Sequence, residues 1–274
     1  MRVSGDDTAL FYPISSGSCG NAVYVRCGET PFLIDCGLPG CRIERALRAI
    51  GEDPAGLSFI LVTHAHADHT SGIGVMARRY RLPVYASSGT WEWMRRDERL
   101  GVIPEECRRE FFRDPEIDSL PPSISISAFS TPHDALDSVG YRIAYNGRAA
   151  AVATDLGYVS LEVRAALEGA DLVLLESNHD VEMLENGHYP EDLKKRVRGN
   201  RGHLSNRDAG RLAAELVRKG TTKIYLGHIS QDNNTPRLAL ETVRRELRGA
   251  GIDPQTDVRL LLAKRGEPSE ACYW

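Results

Sequence analysis

The chain has 274 residues, 42% of them apolar and 26% charged, as in an ordinary soluble globular protein, and it is long enough for one large domain or two small ones. Its net charge of −4 does not advertise nucleic acid, and does not exclude it, because only a local patch has to be basic. No apolar run approaches the roughly 20 residues of a membrane span, and Met1 to Asp7 contain no apolar signal core, so a cytoplasmic protein without membrane attachment is expected. In chain order, a small-residue loop, Ser15-Ser16-Gly17-Ser18-Cys19-Gly20-Asn21, precedes predicted strands at 22–26 and 31–35. A helix near 40–50, a strand at 58–62 and helices near 68–80 and 88–99 follow. The loop 112–123 is the best internal break and reads as a connection only. Beyond it come strands at 124–129, 139–145 and 149–153, a helix at 160–168 and a strand at 171–176. Helices at 190–198 and 204–218, a strand at 223–227, a helix at 235–249 and a strand at 258–263 complete the pattern. Early strands succeed one another like hairpins and later ones alternate with helices. That mixture suits two mixed sheets packed together with helices outside, an α/β (α+β) fold in a single domain over 1–274.

Six cysteines, at 19, 27, 36, 41, 107 and 272, form no Cys-x-x-Cys pair. A structural zinc ribbon is therefore not expected, and the residues read as free thiols. The chemistry concentrates instead at His64-Ala65-His66-Ala67-Asp68-His69, directly after the apolar run 59–62. Imidazole and carboxylate together suit zinc, manganese or iron. Alternate residues of an extended segment point the same way, so His64 and His66 can grip one ion, while Asp68 and His69 fall on the next turn and can face a second. A polar loop capped by Asp68 would not need three histidines.

Two ions need more ligands than one hexapeptide supplies, and strand ends are where loops set polar groups beside a rigid core. His133, Asp155 and His228 each directly follow an apolar run. Singly, each could be a solvated loop residue or a hydrogen-bonded histidine; together with 64–69 they make a ligand set.

The order Asp35, His64-x-His66-x-Asp68-His69, His133, Asp155, His228 resembles the five motifs of the metallo-β-lactamase superfamily, from about residue 14 to about 235. The resemblance implies an αββα four-layer sandwich. It implies His64, His66 and His133 on a first metal, Asp68, His69 and His228 on a second, and Asp155 bridging. Asp35 would sit behind the site, hydrogen-bonding a ligand or fixing its turn. No cysteine lies in these motifs, which points away from a lactamase. Only residues 156–227 separate Asp155 from His228, too few for the cap domain that β-CASP nucleases insert there.

Within the superfamily, the 15–21 loop resembles the opening motif of the YycJ/WalJ-like nuclease branch, with Cys19 where serine is expected. Ser16 and Ser18 would then cradle a phosphate. Glu176-Ser177-Asn178-His179-Asp180 and Gly202-His203-Leu204-Ser205-Asn206 also resemble this branch. They offer Asn178 and His179 as substrate contacts, and His203, at a helix N-terminus, to bind the phosphate or protonate the leaving oxygen. A purely local capping role for His203 is the competing expectation. Lys194, Lys195, Arg196, Arg198 and Arg201 lead into it as a run that could track a nucleic-acid backbone.

The resemblance thus implies a metal-dependent 5′-to-3′ DNA exonuclease. Two divalent ions, manganese or zinc, would activate a bridging hydroxide that Asp68 and Asp155 orient. The partner is nucleic acid, DNA favoured over RNA; no membrane and no obligate protein partner is expected. The alternatives are RNA as substrate, a small-molecule hydrolase on the same fold (a cyclic phosphodiesterase or a glyoxalase II-like thioesterase), and a metal-stabilised binding protein without turnover.

Overall fold

Ala9–Ser15 is buried along its whole length and so carries no alternation of apolar and polar residues; it forms the first strand, β1. The computed structural model describes residues 9–274, so the expected lack of a leader at 1–7 concerns residues outside those described. β2 (Ala22–Cys27) and β3 (Thr30–Ile34) continue an antiparallel meander. Then come α1 (Gly40–Ala49), β4 (Phe59–Leu61), the short α2 (Ala67–Thr70), α3 (Ile73–Tyr80), β5 (Val84–Ser87), α4 (Ser88–Met94) and β6 (Arg108–Phe111). The second half runs β7 (Ile124–Ser130), β8 (Val139–Tyr145), β9 (Arg148–Ala153), α5 (Leu161–Leu167) and β10 (Leu172–Glu176). It ends with α6 (Val181–Asn186), α7 (Glu191–Arg198), α8 (Asn206–Arg218), β11 (Lys223–Gly227), α9 (Pro236–Gly249), β12 (Arg259–Leu262) and β13 (Cys272–Tyr273).

Among the described residues the strands make two mixed sheets, one of seven strands ordered β13-β1-β2-β3-β4-β5-β6 and one of six ordered β12-β11-β10-β9-β8-β7. Between them lies a core that includes Phe11, Val25, Phe32, Phe59, Tyr141, Val152, Leu174 and Tyr225. Ile43 and Leu47 of α1 and Ile73 and Met76 of α3 cover the outer face of the first sheet. Leu212 and Leu216 of α8 and Val243 and Leu247 of α9 cover that of the second. The result is the expected helix–sheet–sheet–helix layering. The α8 helix starts on a defined cap: Ser205 Oγ accepts from Asp208 N at 3.1 Å and donates to the Asp208 carboxylate. Among the described residues no helix is long and apolar enough to cross a membrane.

Several stretches differ from the sequence-based expectation. The predicted 68–80 helix is two helices. At Gly72 a Cβ would lie 2.1 Å from the Leu38 carbonyl oxygen, and the Gly72 N–H leaves the helix to donate to Cys36 O at 2.7 Å. The 88–99 helix stops at Met94, and Asp97 accepts from Arg99 N to open a separate turn. β1, β5, β6, β13 and α6 were not anticipated. β1 pairs with both β2 and β13, so the 15–21 loop joins two paired strands.

Candidate metal centre

Site residues gather at the carboxyl ends of the strands. Asp35 follows β3, His64 follows β4, Asp155 follows β9, Glu176 ends β10 and His228 follows β11. Asp35, Asp155 and His228 leave their strands with φ of 60°, 60° and 52°, a left-handed turn that costs a non-glycine residue about 1–2 kcal/mol. Such conformations persist only where surroundings hold them. Asp35 N donates to Leu61 O at 2.8 Å, and His228 N donates to Ser16 Oγ at 2.9 Å.

These turns bring seven side chains together. His66 Nδ1 lies 3.1 Å from His64 Nε2 and 3.3 Å from His133 Nε2. His69 Nε2 is 3.6 Å from Asp68 Oδ2, and His228 Nε2 is 3.8 Å from the same oxygen. Asp155 stands between the two groups, 3.6 Å from His133 Nε2, 3.3 Å from His69 Nε2 and 3.5 Å from His228 Nδ1. Ligand atoms of His64, His66 and His133 lie within 4.8 Å of one another, as do those of Asp68, His69 and His228. Asp155 Oδ2 and His228 Nε2 are buried and have no hydrogen-bond partner. Buried polar atoms are seldom left unpaired. Orphaned oxygen and nitrogen atoms among imidazoles and carboxylates are the donor set that divalent cations fit.

Charge is partitioned within the cluster. Burial, helped by positive His69, holds His64 well below the ordinary histidine pKa, and burial lowers His66 too. Burial also opposes charge on His69, but Asp35, Asp68 and Asp155 outweigh it and raise its pKa well above normal. His228 is raised in the same way by Asp155, Asp68 and Glu176 against its burial. Burial works against ionised Asp155, yet His228 and His69 keep its pKa well below the carboxylate range. Without a cation, protons on His69 and His228 balance the carboxylates.

Surrounding residues fix the rings. Asp35 Oδ2 is 2.7 Å from His69 Nδ1, and Asp35 also accepts from the Thr63 N–H and hydroxyl, both at 2.8 Å. Glu176, fully buried, sets Oε1 2.9 Å from His203 Nδ1 and 2.8 Å from His228 Nδ1, while Oε2 accepts from Leu156 N and Leu204 N. Asn21 donates to Asp68 Oδ2 at 3.2 Å. Gly37 lies so close to the Asp68 carbonyl that a Cβ there would be 1.7 Å from its oxygen.

A pocket of about 240 Å³ opens onto this centre, lined among others by Ser18, Asp134, Asn178, Tyr189, Arg196 and His203. Several residues expected at a substrate lie elsewhere. Ser16 is 1% exposed and its hydroxyl serves the His228 N–H, so it does not reach a phosphate. In the 15–21 loop the N–H groups of Ser16, Gly17, Gly20 and Asn21 already donate to Lys264 O, Asn21 Oδ1, Gly17 O and Asp68 O, and Ser18 is the residue that lines the pocket. His179 is buried outside the pocket wall, and burial pushes it down to about 4. Lys194 is buried and donates to Glu185 O at 2.8 Å. Lys195, Arg198 and Arg201 do not line the pocket, whereas Arg196 does, held by the Asp134 carboxylate at 2.6 Å.

Glu176, Asn21, Thr63 and Asp134 were not singled out as site residues. Glu176 carries the same signal that marked Asp155 and His228, an ionisable residue closing the apolar run 172–175. Tyr189 also lines the pocket and donates to Asp232 at 2.8 Å.

Comparison with known proteins agrees with this geometry. Residues 30–229 match the family model of the beta-lactamase superfamily domain. The chain is 39% identical over 242 residues to exodeoxyribonuclease YycJ of Bacillus anthracis, an alignment spanning 88% of this chain and 90% of that protein. It is 37% identical over 244 residues to exodeoxyribonuclease WalJ of Streptococcus pneumoniae, with the same coverage of 88% and 90%. The crystal structure of zinc-bound PqqB from Methylobacterium extorquens has the same fold, with a TM-score of 0.71 at 16% identity over 96% of this chain and 99% of that one. Matched by the family model and by both nucleases over most of its length, the chain belongs to the metallo-β-lactamase superfamily, as a YycJ-like member.

Proposed function

We propose that this protein is a metal-dependent nuclease of a single uncapped domain that removes nucleotides from the 5′ end of DNA in the cytoplasm, with no membrane or obligate protein partner. The observation that carries the reading is the pair of orphaned atoms, Asp155 Oδ2 and His228 Nε2, at the floor of a pocket that also receives Arg196 and His203. The full-length similarity to two exodeoxyribonucleases supports the substrate class; a cyclic phosphodiesterase or thioesterase reading has no comparable support.

His64, His66 and His133 would hold one ion and Asp68, His69 and His228 the other, with Asp155 between them. Bound there, two divalent ions, manganese or zinc, supply Lewis acidity towards phosphoryl oxygen and an acidified water. The chain's own residues do the rest. Arg196, steadied by Asp134, meets the negative phosphate, with Ser18 and Asn178 also lining the pocket. His203 has Nδ1 committed to Glu176, which leaves Nε2 for the substrate. Burial opposes a charge on His203, but Glu176 wins and raises its pKa, so the ring carries a proton to give to the leaving oxygen.

Metal-loaded protein incubated with 5′-labelled single- and double-stranded DNA and with RNA of the same sequence tests the substrate. Release of labelled nucleotides from DNA, with binding that weakens steeply as salt is added, is the expected result. Faster cleavage of RNA, or of small cyclic diesters, would overturn it.

A further inference from the structure

A second cleft, of about 530 Å³, lies against the catalytic pocket and shares His133 with it. Its walls include Pro132, Leu136, Tyr158, Asn200 and Arg201. Each wall belongs to a loop that also delivers a residue to the metal centre or pocket: Leu136 follows His133, Tyr158 follows Asp155, and Arg201 precedes His203. The loops are packed together at one point. Gly157 N donates to Pro132 O at 2.8 Å, and a Cβ at Gly157 would lie 2.3 Å from the Asn200 carbonyl and 2.6 Å from Arg201 N. The cleft is therefore set by the same backbone contacts that set the site.

Its chemistry is that of a nucleoside and its next phosphate. Tyr158 is 48% exposed and Leu136 46% exposed, and both line the cleft beside the pocket. The basic run ahead of His203 is mostly neutralised: Lys194 pairs with Glu191, Lys195 with Asp192, Arg196 with Asp134 and Arg198 with Glu185. Among the described residues Arg201 alone of the five has no carboxylate within 4.0 Å. The acid that lines the cleft, Asp137, is turned aside to accept from Gly89 N at 2.8 Å.

We propose that this cleft is a nucleoside subsite: the base next to the scissile phosphate packs on Tyr158 against Leu136, and Arg201 binds the phosphate beyond it. The inference rests on the nuclease reading above. A stacked base is sequence-tolerant, because every base has a π-face, so the subsite would select a strand over a small diester without selecting a sequence.

The test uses the metal-loaded protein, a 5′-labelled oligodeoxynucleotide, and the same strand with an abasic residue at either position flanking the first scissile phosphate. Tyr158→Ala is expected to raise KM for the normal strand about ten-fold, with kcat retained, and to have no effect on one of the two abasic strands. Tyr158→Phe keeps the wild-type KM. Arg201→Ala is expected to lower the slope of log KM against log salt by about one. If Tyr158→Ala leaves KM unchanged, or raises it equally on all three strands, the subsite is wrong and the nuclease reading stands. If the wild-type protein cleaves none of the strands, both fall.

Discussion

Glu176 Oε1 stands 2.8 Å from His228 Nδ1, at the end of the strand beside the one that His228 follows, and the same oxygen is 2.9 Å from His203 Nδ1. One buried carboxylate thus sets the tautomer of a candidate metal ligand and of the candidate proton donor.

Replacing Glu176 by Gln keeps the shape and removes the charge. Metal affinity is expected to fall about 10–100-fold, and excess metal restores part of the activity. Metal titration followed by calorimetry measures this; an unchanged affinity would mean that Glu176 serves only Leu156 and Leu204.

Ser16→Ala distinguishes a structural hydroxyl from a substrate contact. It strips the buried His228 N–H of its acceptor, which costs about 1–3 kcal/mol. Urea unfolding is expected to show that loss, with KM for DNA unchanged. A raised KM at full stability would return Ser16 to the phosphate.

Arg196→Ala removes a cation from the pocket wall and leaves Asp134 uncompensated. Weaker DNA binding at every sequence and a salt slope reduced by about one are expected. Binding isotherms at several salt concentrations check it.

The stability of the metal-free protein should depend on pH in two directions. Burial opposes ionised Glu176, but His203 and His228 hold its pKa down to about 2 from 4.5, so its stabilisation is present above 4.5 and lost as pH falls towards 2. His69 and His228 have raised pKa values, so their stabilisation is complete below 6.5 and lost as pH rises through those raised values. Burial holds His64, His66 and His179 below 6.5, so their contribution is lost as pH falls below that value, and thermal unfolding in chelator is expected to peak near 6.5. Added metal removes the alkaline loss, because it displaces the histidine protons.

The hexapeptide 64–69 is legible because its ligands are local, and His133, Asp155 and His228 are legible because each closes an apolar run. Ser16 misleads: a hydroxyl in a glycine loop looks like an anion site, but its partner, His228, is 212 positions away and leaves no local trace. The charge run 194–201 misleads for a different reason: Lys194 and Lys195 pair with Glu191 and Asp192 one turn earlier and Arg198 with Glu185, while Arg196 is the member of the run that lines the pocket. β1 escapes notice because burial on both faces erases period-two alternation. The helix break at Gly72 comes from the approach of the Leu38 carbonyl, a tertiary contact that composition does not announce.

The central claim is that Asp155 joins two cation sites that act on DNA. The most direct measurement is metal content together with release of 5′-terminal nucleotides, for the wild-type protein and for Asp155→Asn, both checked for folding. Two divalent ions per wild-type chain, cleavage abolished by chelator, and loss of both cleavage and one or more ions in the variant are expected. Undiminished cleavage by Asp155→Asn, or by the metal-free protein, would contradict it.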